Sequence, residues 1–200
     1  MENFKVDELN WKKKIESFNS LFHKEYNSGW ENAYSVIVDV IELNPNDVEA
    51  FVRCLFLIHH VLLEETIPEA LQIKFEMLLV KFYDESANKF SKNAEYLFFV
   101  GEIIITIEWF LKKEKDSSNL EENLSILMQK KASELEPDNI LYEWAWRLSL
   151  NEKIAGYLAS QILTYDKEHI DWLKSKGFPG EYILQSLEYS KKDFEGEIKS

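Results

Sequence analysis

The residues able to do chemistry are few and scattered. His59 and His60 adjoin in an apolar segment, and Glu64 follows His60 by four positions. On a helix that spacing stacks His60 and Glu64 on one face, where an imidazole and a carboxylate could share a metal ion. Two ligands do not complete a site, and no second pair of this kind occurs in the sequence. A solvated His60–Glu64 pair is the plainer reading. His23 and His169 have no partners recognisable from spacing. Cys54 is the single cysteine, so it cannot form an internal disulfide, and its apolar surroundings suit a small buried hydrophobe. There is no Gly-rich phosphate loop, no paired-cysteine motif, no HExxH and no nucleophile elbow. The sequence predicts no enzyme, no metal and no cofactor.

Binding chemistry is better represented. The segment AEYLFFVGEIIITIEWFL at 94–111 is apolar apart from Glu95, Glu102 and Glu108. At 100° per residue, Glu95, Phe99, Glu102 and Thr106 fall on one narrow stripe, with Glu108 nearly opposite. Two outcomes are open for that stripe. Glu102 could pair with a Lys or Arg of a neighbouring helix, or the stripe could line a groove that receives a basic side chain from a partner. In LYEWAWRLSL, Trp144 and Trp146 diverge by about 200° around a helix and cannot both face the core. Tyr, Trp and Arg are the usual anchors of protein interfaces, so Tyr142, Trp146 and Arg147 join Glu95, Glu102 and Thr106 as candidate partner-binding residues.

These side chains need elements to hold them. Segment 94–111 is too long for one strand. As a membrane span it would carry Glu102 near mid-bilayer, at a cost of a few kcal/mol. A helix capped by Asn93, with Lys112 and Lys113 at its negative end, fits better. Helical spacing extends through most of the chain: about 7–26 (Leu9, Trp11, Ile15, Phe18, Phe22), 30–43, a helix after the cap Asp47 that carries Phe51, Cys54, Leu55, Ile58 and Leu62, and another with Pro68 in its first turn that runs to about Lys89. Beyond the charged loop KKEKDSSN at 112–119, helices are expected at about 120–135, 139–150, 152–164, 168–176 and 181–191. KGFPG at 176–180 is a turn, and the tail at about 192–200 is expected to fray. Only 6 Gly and 4 Pro serve the whole chain, too few for the hairpins of an all-β fold. The expectation is an all-α chain of eight to ten helices, forming one domain over 1–200.

Two segments share a pattern. IELNPNDVEAF at 41–51 and SELEPDNILYEW at 133–144 each place a proline after E-L-x, then Asn or Asp, then a new apolar helix. Proline ends the first helix and the Asx side chain caps the next. This resembles the junction between tetratricopeptide repeats. Ala33 and Ile37 occupy the small and large positions upstream of Pro45; Ser125 and Gln129 stand there upstream of Pro137, with Ala132 a better match. The prolines are 92 residues apart, not a multiple of the 34-residue repeat. The resemblance implies stacked antiparallel helical hairpins and a curved protein-binding surface.

Charge narrows the partner. The formal net charge is -13, which repels nucleic acid and anionic membrane and attracts basic proteins. MENFKVDELNWKKK has no apolar stretch of signal-peptide length, so a cytoplasmic location is expected. Size, acidity, an all-helical pattern and the aromatic AEYLFF and LYEWAW segments are similar to immunity proteins of bacterial toxin systems such as contact-dependent growth inhibition. That similarity implies neutralisation of a basic, nuclease-type toxin by covering its active site. The rival expectation is a peptide-binding scaffold or regulatory protein of the tetratricopeptide kind, and an oligomerising structural protein is a third.

Overall fold

The computed structural model describes residues 10–23, 29–111 and 123–198. Among them are ten α-helices and no strand, so the all-α expectation is met. Leu9, the loop at 112–119 with Lys112 and Lys113, the start of the helix expected from 120, and the Glu108 side chain lie outside the described residues. The chain forms two compact units, Met1–Lys89 and Phe90–Ser200.

The first unit holds α1 (Trp11–Ser17, followed by a 3-10 turn Phe18–Leu21), α2 (Gly29–Leu43), α3 (Val48–Glu64) and α4 (Glu69–Lys89). Asn44-Pro45 stops α2, and the Asp47 carboxylate caps α3 by accepting from the Glu49 and Ala50 amides. Helix α3 is buried on every side from Ala50 to Val61. It is therefore the axis of this unit, and even its polar side chains must find partners inside. Arg53 does so by reaching Glu16 of α1 and Glu49 of its own helix, while Lys12 of α1 meets Glu49 at 2.6 Å. The pairs 12–49 and 16–53 run the same way, so α1 lies parallel to α3. Phe51 against Phe82, and the Lys89 ammonium on the Pro45 carbonyl, set α4 antiparallel to α3.

His60 departs from the spacing argument. Its ring is 6% exposed, and its Nε2 lies 3.0 Å from Oε1 of Glu65, not Glu64. The reason is local. Helix α3 ends at Glu64, and Glu65 is extended (φ -110°, ψ 146°), which turns its carboxylate back over the last turn. The same oxygen accepts the backbone N–H of His23 at 2.8 Å, and Phe22 stacks on His60 with centroids 3.7 Å apart. The pair is thus a buried tie between the 3-10 segment and α3, not a solvated surface pair.

The second unit holds α5 (Ala94–Leu111), α6 (Leu124–Leu135), α7 (Ile140–Ser149), α8 (Ile154–Tyr165), α9 (Lys167–Ser175) and α10 (Phe178–Ile198). Each helix packs on the next, and α10 returns onto α8. Helix α5 spans the apolar segment end to end, with Asn93 Oδ1 capping it at the Tyr96 amide. Ser125 of α6 donates to the Gly101 carbonyl (2.7 Å) and Gln129 to the Phe98 carbonyl (2.9 Å), so α6 runs antiparallel to α5. A Cβ on Gly101 would sit 2.8 Å from Gln129 Nε2, so the glycine is what lets the amide approach. This seam explains why Ser125 and Gln129 fit the tetratricopeptide pattern poorly: both are buried hydrogen-bonding residues.

Helix α9 ends at Gly177, whose φ of 63° is the left-handed conformation glycine adopts without strain. The next turn brings Gly180 so close to α9 that a Cβ would lie 1.8 Å from the Leu173 carbonyl oxygen. Helix α10 then continues to Ile198, beyond the point where the sequence predicts fraying. Phe194 accounts for the extension: it packs over Gly156 of α8 and edge-on to Tyr157.

Candidate partner-binding cleft

The N-terminal end of α5, the α6–α7 turn and α9 enclose an open cleft of about 340 Å³ in the second unit. Capping residues build its rim. Asn93 starts α5 and Asn139 starts α7, the latter accepting from the Leu141 and Tyr142 amides. Each cap fixes where the following turn of side chains emerges, and so places Glu95 and Tyr142 on the cleft wall. Glu136 enters from the residue before Pro137, where α6 has ended. Glu168, His169 and Trp172 come from the first two turns of α9, at spacings that put them on one face.

The electrostatics are uneven. Glu95 is bound by Lys176, with N···O 2.7 Å, and the same ammonium lies 5.0 Å from the Trp172 ring centroid. Glu136 accepts only a 3.2 Å hydrogen bond from the Asn139 amide. Among the described residues, neither Glu136 nor Glu168 meets a cation. His169 Nδ1 is 2.6 Å from Asp166, whose carboxylate also caps α9. Burial works to raise the Asp166 pKa, but the backbone and ring hydrogen bonds from His169 outweigh it and hold the group below the ordinary range. Tyr142 is 3% exposed, and its hydroxyl makes no hydrogen bond to any described residue. Burial, then the carboxylates of Glu136 and Glu95, push its ionisation well above the usual phenol range, so the hydroxyl keeps its proton.

Of the six candidate residues, the fold brings Glu95 and Tyr142 together here. The others go elsewhere. Glu102 lies two turns along α5, where Gln129 Nε2 donates to its Oε1 at 2.8 Å. The neighbour is a neutral amide, not a Lys or Arg, because Lys130 and Lys131 beside it face solvent. Burial raises the Glu102 pKa to about 8. Thr106 is exposed and donates to the Ile103 carbonyl of its own helix at 2.7 Å. Trp144 is fully buried, its indole N–H reaching Ser190 Oγ at 3.4 Å, whereas Trp146 is half-buried. Arg147 covers the Trp146 ring at 4.3 Å and bonds Glu152 at 3.2 Å. The charge of Arg147 is thus paired inside the unit, although its buried Nε meets no acceptor among the described residues, and Glu152 lines, with Asp193 and Phe194, a second recess of about 270 Å³ at the α7–α8 turn.

Spacing analysis did not single out Glu136, Glu168, Trp172 or Lys176. For three of them a signal existed: 168, 172 and 176 recur every four residues in KEHIDWLKSK, which aligns an acid, an indole and a cation on one face. Glu136 had none, since its position follows from the turn. Among the described residues, no group of three His, Cys, Asp or Glu side chains is arranged to hold a metal ion, and no helix is long and apolar enough to cross a membrane.

No family model, no curated protein and no solved structure matches this chain.

Proposed function

We propose that this chain is an acidic helical protein-binding protein whose partner is a basic protein, and that its concrete role is immunity: occupation of a nuclease-type toxin so that the toxin's active site is covered. The observation that carries the reading is the cleft of the second unit, where Glu136 and Glu168 meet no cation among the described residues beside the aromatic surfaces of Tyr142 and Trp172. Carboxylates without cationic partners, on a chain of net charge -13, favour encounter with a positively charged surface and raise its local concentration. A nuclease has such a surface, because it binds phosphates. Inhibition then needs no chemistry from this chain, only acidic side chains standing where phosphates would. Cytoplasmic residence fits that role.

A scaffold holding a basic peptide is the second reading. The cleft favours it to the extent that its volume suits one side chain and its mouth is open.

The test is binding to the purified, active-site-inactivated product of the adjacent gene. Immunity requires that product to be basic and to bind. Association should slow at least tenfold between about 0.05 and 0.5 M salt, as the screening length contracts. An adjacent product that does not bind, or an on-rate indifferent to salt, would refute the reading.

A further inference from the structure

We infer that the outer face of α4 is a self-association surface, on which a second copy of this chain seats its own α4 parallel and in register. The inference stands on the first unit alone and goes beyond the proposed binding function.

Helix α4 has two apolar faces, where a surface helix ordinarily has one. Leu71, Phe75, Leu78 and Phe82 are buried, and Phe82 meets Phe51 of α3 edge-on. On the opposite side, about 180° from Phe75 at helical spacing, Ile73 is 49% and Met77 69% exposed. Ala70 is exposed on the turn before them, and Val80 is half-buried on the turn after. Positions 70, 73, 77 and 80 carry the alternating three- and four-residue spacing of a coiled-coil seam. A single apolar side chain on a surface needs no explanation. Four in a row at this spacing form a stripe that a second helix can cover.

The edges of the stripe select the occupant. Glu69 and Glu76 flank it on one side, Lys74 and Lys81 on the other. When two copies lie parallel and in register, the acidic edge of each faces the basic edge of the other. Glu69 then meets Lys74 of the second copy, and Glu76 meets its Lys81; charges at these flanking positions set partner choice and orientation in paired helices. Laid antiparallel, the two helices would bring acid against acid and base against base. A foreign partner would have to reproduce both edges, whereas a second copy supplies them by two-fold symmetry. Glu76 accepts from Gln72 at 3.0 Å, and Lys81 lies 4.0 Å from Glu85. Such contacts are weak at a surface and leave the charge of each edge in place. Asp84, the next position on the stripe, would face its own copy and so ends the seam.

The seam is short, about 15 Å from Ala70 to Val80 at 1.5 Å per residue. Two chains of net charge -13 also repel one another at long range. The pair is therefore weak, with a Kd on the order of 100 µM in about 0.15 M salt, where screening confines that repulsion to about 8 Å.

Sedimentation equilibrium of the full chain, from about 10 µM to about 1 mM in that salt, should show monomer passing into dimer. Met77→Lys sets two cations against each other on the axis of the pair and should weaken association at least tenfold. Its melting temperature at low concentration should match the parent's, because Met77 is exposed. Glu69→Lys with Glu76→Lys makes both edges basic, and Lys74→Glu with Lys81→Glu makes both acidic. Each of these chains alone should associate at least tenfold more weakly than the parent, and an equimolar mixture of the two should associate at least as tightly as the parent. That recovery also shows that both variants are folded. Ala70→Cys, at one end of the seam, should form an intermolecular disulfide under mild oxidation, since residue 70 faces its own copy only in the parallel pair; the native Cys54 is buried and gives no background. A chain that stays monomeric over the whole range overturns the inference. So does a dimer indifferent to Met77→Lys, a mixture of the edge variants that fails to recover association, or a dimer that Ala70→Cys does not cross-link.

Discussion

Replacing Glu102 with Gln keeps the shape and removes the charge, and the structure sets the sign of the result. Burial moves the Glu102 pKa from the ordinary 4.5 to about 8. The folded chain therefore holds a proton between those values that the unfolded chain has released, so folding stability falls as pH rises. The contribution is fully present below pH 4.5 and is lost by the time pH passes about 8. At 1.36 kcal/mol per pH unit, a rise from 4.5 to about 8 sets a ceiling of roughly 5 kcal/mol. Glu102 is only half-buried as a residue, and solvent relaxes part of that penalty, so an effect on the order of 2 kcal/mol is the working figure. The variant lacks the titration, and its Oε1 can still accept from Gln129 Nε2, which donates to both Glu102 and the Phe98 carbonyl. Urea unfolding of parent and variant at pH 5, 7 and 9 measures the difference directly and cancels every group the two share. The variant should match the parent within about 0.5 kcal/mol at pH 5 and exceed it by about 2 kcal/mol at pH 9, a figure that follows from the same linkage. A difference that is flat with pH would refute the burial of this carboxyl. A variant that weakens partner binding at unchanged stability would show instead that Glu102 faces a partner's cation.

Other perturbations read other parts of the fold. His59 has its pKa pushed down to about 4 by burial and then by the His60 cation, so the stability it contributes is present above 6.5 and lost as pH falls toward 4; acid unfolding of the chain should lose on the order of 2 kcal/mol across that window, and His59→Asn should flatten this part of the profile. Gly180→Ala forces a Cβ into the Leu173 carbonyl and should cost on the order of 3 kcal/mol, seen as a melting temperature lower by several degrees; an unchanged midpoint would mean that the α9–α10 contact yields easily. Trp146→Ala removes a half-buried ring with Arg147 stacked on it and should destabilise less than Trp144→Ala, which empties a fully buried site at about 3–5 kcal/mol.

The sequence was informative wherever one period governs one element. Asn93 and the length of the apolar segment mark α5, Asp47 marks α3, and Gly177 marks the end of α9, because caps and left-handed glycines act within a few residues of themselves. It was less informative wherever the partner lies outside the period. A helical wheel gives the face of Glu102 but not the residue opposite, so it leaves open an internal cation or a partner's, and the neutral amide of Gln129 stands there instead. His60 lost Glu64 to Glu65 because α3 ends between them. The tail at 192–200 reads as charged and solvated, yet a single aromatic, Phe194, holds α10 on α8 where Gly156 makes room. The cleft was hardest, since its walls come from residues 93–95, 136–142 and 168–172, and no local pattern links those three stretches.

The two stripe carboxylates of α5 show why a shared face does not mean a shared role. Glu95 and Glu102 are two turns apart on one helix, and sequence assigns them to one surface. Between them stands Gly101, whose missing side chain admits Gln129 against the helix. Directly beyond that point α6 covers Glu102, and the carboxylate there becomes a neutral, stability-determining acid, while Thr106 one turn further on is exposed. Before it, α6 has turned away through Glu136 and Pro137, and the stripe opens into the cleft, where Glu95 is bound to Lys176. The seam of α5 with α6 thus separates a stretch packed under α6 from an end that opens into the cleft on the same helix. The residues that make the seam, Ser125 and Gln129, are the two that depart from the repeat pattern, and by holding α6 in register they also place Glu136 at the cleft.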